Sequence, residues 1–400
     1  MPAVSVATTE GVHDAALATL DHTPPRASHG PGRVGEFLLV GGLTPFLFPL
    51  SWLLRRSFGL SAAEYATGFL FFYGAYLIND PHFAVTYLLF YKSARERAFG
   101  GAFRGAQRAR YIVAGLIVPL TLGAWAVAAL VTHSAAALGF LIQTMFLLVG
   151  WHYVKQGFGA FAVLSARRGV HWTVMERRAI LAHCYAGWAY AWASPADPGT
   201  EVEEKGVIYT TVHHGLGLER LTHAVLLLSI APLAWALVSK LRRDGRVPIL
   251  TPLVALLCSI WSWSIYSSVD PLVRYVTPAL HSLQYLYFVW LLKGNEGKEQ
   301  EGPPRFELSA TVRLGILAIS AVALGAFLFH ILPSGLDAAW AHPRDATLLG
   351  ATPYFAALYA FVNIHHYFMD HVLWRRDNPE TRYLLWDLSP DGQGALAKTR

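Results

Sequence analysis

Residues 135–165 read AAALGFLIQTMFLLVGWHYVKQGFGAFAVLS, and the one Asp, Glu, Lys or Arg among them is Lys155. A helix crosses the hydrocarbon of a bilayer with about 20 mostly apolar residues, so this stretch spans it with turns to spare. Working outward, a hydropathy window finds nine further segments: 36–54, 62–91, 111–132, 177–194, 216–239, 248–267, 271–292, 309–331 and 348–373. The sequence therefore predicts an all-α, polytopic integral membrane helix bundle of about ten transmembrane helices over 36–376. Residues 1–35, with Pro24, Pro25 and Pro31 and no apolar core, read as a disordered N-terminal tail, and 377–400 as a cytoplasmic C-terminal tail. Asn79-Asp80-Pro81-His82 interrupts the 62–91 segment, which predicts a kink or two half-helices there. The polar run 294–306 reads as a flexible loop.

Composition agrees. Hydrophobic residues make up 54% and charged residues 14%, too few charges to clothe a water-facing surface. Disordered, collagenous and coiled-coil classes are excluded on the same ground. Cys184 and Cys258 both lie in apolar runs, which excludes a disulfide framework or a cysteine-rich metal site.

The net charge of +6 is a topology signal. Lys92, Arg95, Arg97, Arg104, Arg108 and Arg110 fill one loop, Arg167, Arg168, Arg177 and Arg178 a second, and Lys240, Arg242, Arg243 and Arg246 a third, with Arg375 and Arg376 after the last segment. With ten spans all four groups fall on one side, which the positive-inside rule makes cytoplasmic, with both termini inside. The 195–205 loop on the other side holds Asp197, Glu201, Glu203 and Glu204, and Arg55 and Arg56 are the exception to the pattern. The expected setting is the inner membrane of a bacterial cell, with the lipid bilayer as partner and no nucleic acid.

Seventeen histidines are many for such a chain. His13, His22 and His29 lie in the tail, and His133, His213, His214, His330 and His342 fall at span ends or in outer loops. Counted from the cytoplasmic end of each segment, His82, His152, His183, His281, His365 and His366 lie 5 to 14 residues deep, or roughly 8–21 Å at the helical rise. Five segments thus bring imidazoles to one inner slab, and ionisable groups inside a membrane mark functional sites by default. Polar neighbours share their faces: Lys155 and Gln156 with His152, Gln284 and Tyr285 with His281, Asn79 with His82, Asn363 and Asp370 with His366. Such stripes must face the bundle interior. A single buried histidine is more often a hydrogen-bonded core residue, and His183 is expected to be one; the group together points to a site.

Neutral imidazole and carboxylate without thiolate suit a transition metal, iron foremost, with zinc, copper or manganese also compatible. His82, His152, His281, His365, His366 and Asp370 are the expected ligands, with Asp80 a ligand or supporting carboxylate. Lys155, Gln156 and Gln284 are expected to orient ligands or water. Adjacent His365 and His366 lie about 100° apart on a helix, so only one should share a site with Asp370. In general layout, with NDPH (79–82), HYVKQ (152–156), HSLQY (281–285) and HHYFMDH (365–371), the chain is similar to the histidine-box membrane oxygenases, the fatty-acid desaturase and hydroxylase class. None of these stretches has that class's HxxxH or HxxHH spacing, so no residue role carries over. The expectation is a metal-dependent oxidoreductase acting on a lipid or other apolar substrate, supplied by an electron donor. The alternatives are a proton-coupled transporter or channel with the histidines as relay, and a bis-histidine haem electron carrier.

Overall fold

The computed structural model describes residues 32–195, 197–245, 250–300, 308–341 and 347–385. The bulk of the expected N- and C-terminal tails, and with them His13, His22, His29, Arg246 and His342, lie outside the described residues. The chain is helical almost throughout: α1 (Gly32–Gly42), α2 (Thr44–Phe58), α3 (Leu60–Gly74), α4 (Asn79–Tyr91), α5 (Ala94–Ala98), α6 (Gly105–Val131), α7 (Ala135–Arg167), α8 (Val174–Ala193), α9 (Leu216–Asp244), α10 (Leu250–Ser268), α11 (Pro271–Glu299), α12 (Ala310–Trp340) and α13 (Pro353–Leu373). A short 3-10 helix, Pro379–Leu384, closes the described chain.

Five helices, α6, α7, α9, α10 and α12, are long and apolar enough to cross a membrane, and α1 with α2, bent by 63°, makes up to six. The fold is therefore that of a helical membrane protein, and the criterion does not reach the expected ten. The helices that fall outside it include α4, which at 13 residues is too short, and α11 and α13, whose polar residues lower their apolarity. Outward-facing apolar side chains mark the lipid surface: Leu228 on α9 is 74% exposed and Ile319 on α12 is 73% exposed.

The 62–91 segment is two helices. The chain turns at 75–78, and Pro81 sits in the first turn of α4, where its missing N–H removes no helical bond. Pro119 and Pro333 are accommodated differently. Each follows a π-turn, Val113–Ile117 in α6 and Phe327–Ile331 in α12, and the extra residue relieves the clash between the ring and the preceding turn.

Two features correct the sequence reading. The 294–306 loop begins late, because α11 runs on to Glu299: Lys92 and Lys293 pair with Glu296, and Asn295 donates to the Tyr383 carbonyl at 2.8 Å. Residues 379–384, taken as tail, thereby dock on α11. Beyond the 195–200 stretch lies an unexpected antiparallel hairpin, β1 (Glu201–Glu204) and β2 (Val207–Thr210). Lys205 and Gly206 both have positive φ, as a tight two-residue turn demands. Val207 and Tyr209 are buried, and Tyr209 lies so close to Gly139 of α7 that a Cβ there would stand 2.6 Å from it.

The centre is formed by α4, α7, α11 and α13. Leu141, Ile142 and Met145 of α7 pack with Phe83 of α4 and with Ala356, Ala357, Ala360 and Ile364 of α13, and the alanines let the helix backbones approach closely. On the far side of α4 and α13, Val85, Leu89, Tyr285, Val289, Met369 and Val372 form a second apolar layer. The polar stripes meet between these layers.

Candidate metal centre

His82 of α4, His152 of α7 and His366 and Asp370 of α13 converge in the interior, each buried, with one ligand atom apiece lying within 4.8 Å of the others. Ligands about 2.0–2.2 Å from a shared metal stand roughly 3–4 Å apart, so a small contraction would complete the shell. The rings pack edge to face, His82 against His366 at 4.5 Å and His152 against His366 at 4.9 Å between centroids.

The tautomers follow from the bonds. Ser282 Oγ donates its proton to Asn79 Oδ1 and so accepts from His82 Nδ1, both at 3.1 Å. That leaves His82 Nε2 bare, and it is buried with no hydrogen-bond partner. Neither nitrogen of His366 has a hydrogen-bond partner among the described residues, and its Nε2 stands 3.3 Å from Asp370 Oδ2. His152 Nε2 is 3.7 Å from the same oxygen. Buried polar atoms without partners are rare and expensive, and here His82 and His366, both with such atoms, converge on one buried carboxylate.

Asp370 is held from its other side. Tyr285 of α11 donates to Oδ1 at 2.8 Å, and Thr86 meets the Tyr285 hydroxyl at 2.6 Å. Oδ1 is thus fixed while Oδ2 faces the imidazoles. Phe83, Tyr285 and Tyr367 wall the cluster: Phe83 lies 4.7 Å from His366, Tyr285 lies 4.5 Å from His82, and Tyr367 stacks on His152 at 4.7 Å. Three neutral imidazoles and one carboxylate in an apolar shell are a donor set suited to a divalent metal of the iron, zinc, copper or manganese kind.

The expected residues divide as follows. His281 joins the rings, 4.8 Å from His152, but its Nε2 is 3.0 Å from His152 Nε2, so it competes with a metal for that atom. His365 turns away. Its Nε2 donates to the Ala114 carbonyl and its Nδ1 accepts from Tyr87, each at 3.0 Å, so it is no ligand here. Asp80 does not reach the cluster either: its carboxylate meets His330 Nε2 at 2.7 Å, and His330 stacks on Tyr76. Gln156 donates to Gln284 Oε1 at 2.9 Å and to the His281 carbonyl at 3.1 Å, while Gln284 donates to the Val40 carbonyl at 2.6 Å. The two glutamines tie α7, α11 and α1 together beside the site. Lys155 stands on the flank near Arg375, Cys184 and His371, away from the ligands. His183 bonds Ser229 at 2.8 Å between α8 and α9, the structural role expected of it.

Sequence reasoning missed Tyr285 and Thr86 as the clamp on Asp370. Each lies four residues beyond a histidine of the cluster, His281 and His82, and that spacing was the available signal. No protein-family model, no curated protein and no solved structure matches the chain.

Proposed function

We propose that the chain is a multi-pass inner-membrane protein of a bacterial cell, crossing about ten times with both termini cytoplasmic, and that it is a metal-dependent oxidoreductase acting on a lipid or other apolar substrate. The carrying observation is the meeting of His82, His152, His366 and Asp370 around one buried point. Bound there, iron would supply redox chemistry with dioxygen and an external electron donor. The protein residues hold, orient and insulate: Ser282 sets the His82 tautomer, Tyr285 aims Asp370, and Phe83 and Tyr367 exclude water. The crossings beyond the five or six apolar helices are assigned to α3 with α4 together, α8, α11 and α13.

A second reading has its own support. Ser282 links His82 to Asn79, and neighbouring Asp80 meets His330, so polar groups continue past the cluster. Such a chain could serve a proton-coupled transporter. A bis-histidine haem has less support, because the rings pack on one another at 4.5–5.0 Å where a porphyrin would have to lie.

The test is metal analysis and oxygen uptake on purified protein. The oxidoreductase reading expects about one iron per chain and reductant-dependent oxygen consumption with membrane lipid extract, both lost in His152→Ala and His366→Ala. No bound iron, zinc, copper or manganese, or proton flux into liposomes that Asp80→Asn abolishes, would turn the assignment to the relay.

A further inference from the structure

Lys155 is half-buried on α7 and has no acidic partner among the described residues. His371 of α13 packs on Trp151 of α7 with ring centroids 5.4 Å apart, and Lys155, Arg375 and Arg110 are the cations whose charge His371 feels. Trp151 and Lys155 are four residues apart on α7; His371 and Arg375 are four apart along α13 and its C-terminal cap region, so two stripes face each other across one seam. The nearby carboxylate is Asp377, 3.5 Å from Arg375 and 3.4 Å from Arg110, and its side chain is 54% exposed. Three cations and one solvent-facing anion leave an excess of two positive charges. Arg375 Nε is also buried without a hydrogen-bond partner. An ammonium held without a counter-ion at the edge of an apolar bundle is costly unless an anion visits it.

The seam runs along the same two helices as the metal centre, on the side toward the basic loops. Lys155 follows His152 by three residues, and Arg375 follows Asp370 by five, roughly 4.5 and 7.5 Å of helical rise toward the basic loops. We propose that Lys155, Arg375 and Arg110 bind the anionic head, carboxylate or phosphate, of a single-chain amphiphile. That this amphiphile is the substrate rests on the oxidoreductase reading, whereas its binding does not. Fixing the head here sets the carbons nearest it, not the far end of the chain, beside the cluster. Trp151 gives the first methylenes an apolar wall.

The experiment uses full-length protein in nanodiscs of neutral phosphatidylcholine, with radiolabelled palmitate as probe and metal content measured in the same samples. Hexadecyl phosphate should displace palmitate at least about tenfold better than hexadecanol does, because the charge-assisted contacts need an anion. Inorganic phosphate should displace it poorly, since it lacks the chain. Lys155→Gln and Arg375→Gln should each weaken palmitate binding about tenfold and leave metal content unchanged, and Lys155→Arg should restore binding. Hexadecanol competing as well as hexadecyl phosphate, inorganic phosphate competing as well as either, or wild-type binding in both glutamine variants would overturn the proposal. Charge-dependent binding in a protein that holds no metal would retain the head-group site and remove the oxidoreductase reading.

Discussion

Tyr285→Phe isolates what the clamp on Asp370 does. The phenol ring stays packed, 4.5 Å from His82 and 5.3 Å from Trp374, so the substitution removes one oxygen and leaves the apolar layer in place. It deletes the 2.8 Å bond to Asp370 Oδ1 and the 2.6 Å contact with Thr86. The Thr86 hydroxyl keeps an acceptor in the His82 carbonyl at 3.2 Å, so no new unpaired donor appears. A hydrogen bond to a buried carboxylate contributes about 1.5–3 kcal/mol. Removing a group that holds a metal ligand in place typically lowers metal affinity by about 10–100-fold, which is the loss expected here. The assay equilibrates wild type and variant against chelator-buffered iron or zinc and measures bound metal per chain by mass spectrometry. Asp370→Asn is the severe control, and Thr86→Val should lose only a few-fold, since its own bond to Asp370 Oδ1 is long, at 3.4 Å, and Tyr285 keeps the shorter one. Superimposable occupancy curves for wild type and Tyr285→Phe would refute the idea that Tyr285 aims Asp370 at a metal.

Four further outcomes follow from particular contacts. His365→Phe should retain metal at full stoichiometry and lose only stability, because both ring nitrogens are engaged by Tyr87 and Ala114, whereas His366→Ala should lose the metal. Asp80→Asn should likewise keep metal while weakening the tie between α4 and α12, read as a lower melting temperature. Gly157→Ala should destabilise by about 1–3 kcal/mol in a denaturation assay, since its Cβ would lie 2.4 Å from Ser259 at the α7–α10 contact. At the N-terminus of α8, burial raises the Glu176 carboxyl, but the bonds from Arg243 and the Thr173 cap outweigh it and hold it below the ordinary 4.5. A depressed carboxyl stabilises above its unfolded value and loses that contribution as pH falls through its folded value. Glu176→Gln should therefore lower the melting temperature fully above about pH 5, and the difference from wild type should shrink as pH falls below the ordinary 4.5.

Much of the site could be read from depth alone. His82, His152, His281 and His366 fall at similar distances from the basic loops, and their rings do meet, because polar stripes on apolar helices have nowhere to turn but inward. What depth does not supply is rotation about the helix axis. His365 and His366 share one depth, and only packing of α13 against α4 and α6 decides that His366 faces the site. Asp80 looked like a site carboxylate because its partner, His330, sits near a span end; the π-turn Phe327–Ile331 lies where α12 passes Asp80, and Gly325 lets the backbones close. Lys155 is one turn from His152, yet that small angular offset sends it to the flank. The fold was legible as helical and apolar from runs such as 135–165. The number of crossings was harder to fix by apolarity, because polar residues dilute it in α11 and α13, and α4 is only 13 residues long. The hairpin had only a Lys-Gly turn and the alternation of Val207 and Tyr209 to announce it.

The central claim is that three imidazoles and one carboxylate hold one metal, and X-ray absorption at the metal edge of purified, metal-loaded protein tests it most directly. The account predicts only nitrogen and oxygen neighbours at about 2.0–2.2 Å, with outer-shell scattering from about three imidazole rings that falls by one ring in His82→Ala. A sulfur neighbour, a shell without imidazole scattering, or a spectrum unchanged in that variant would contradict it.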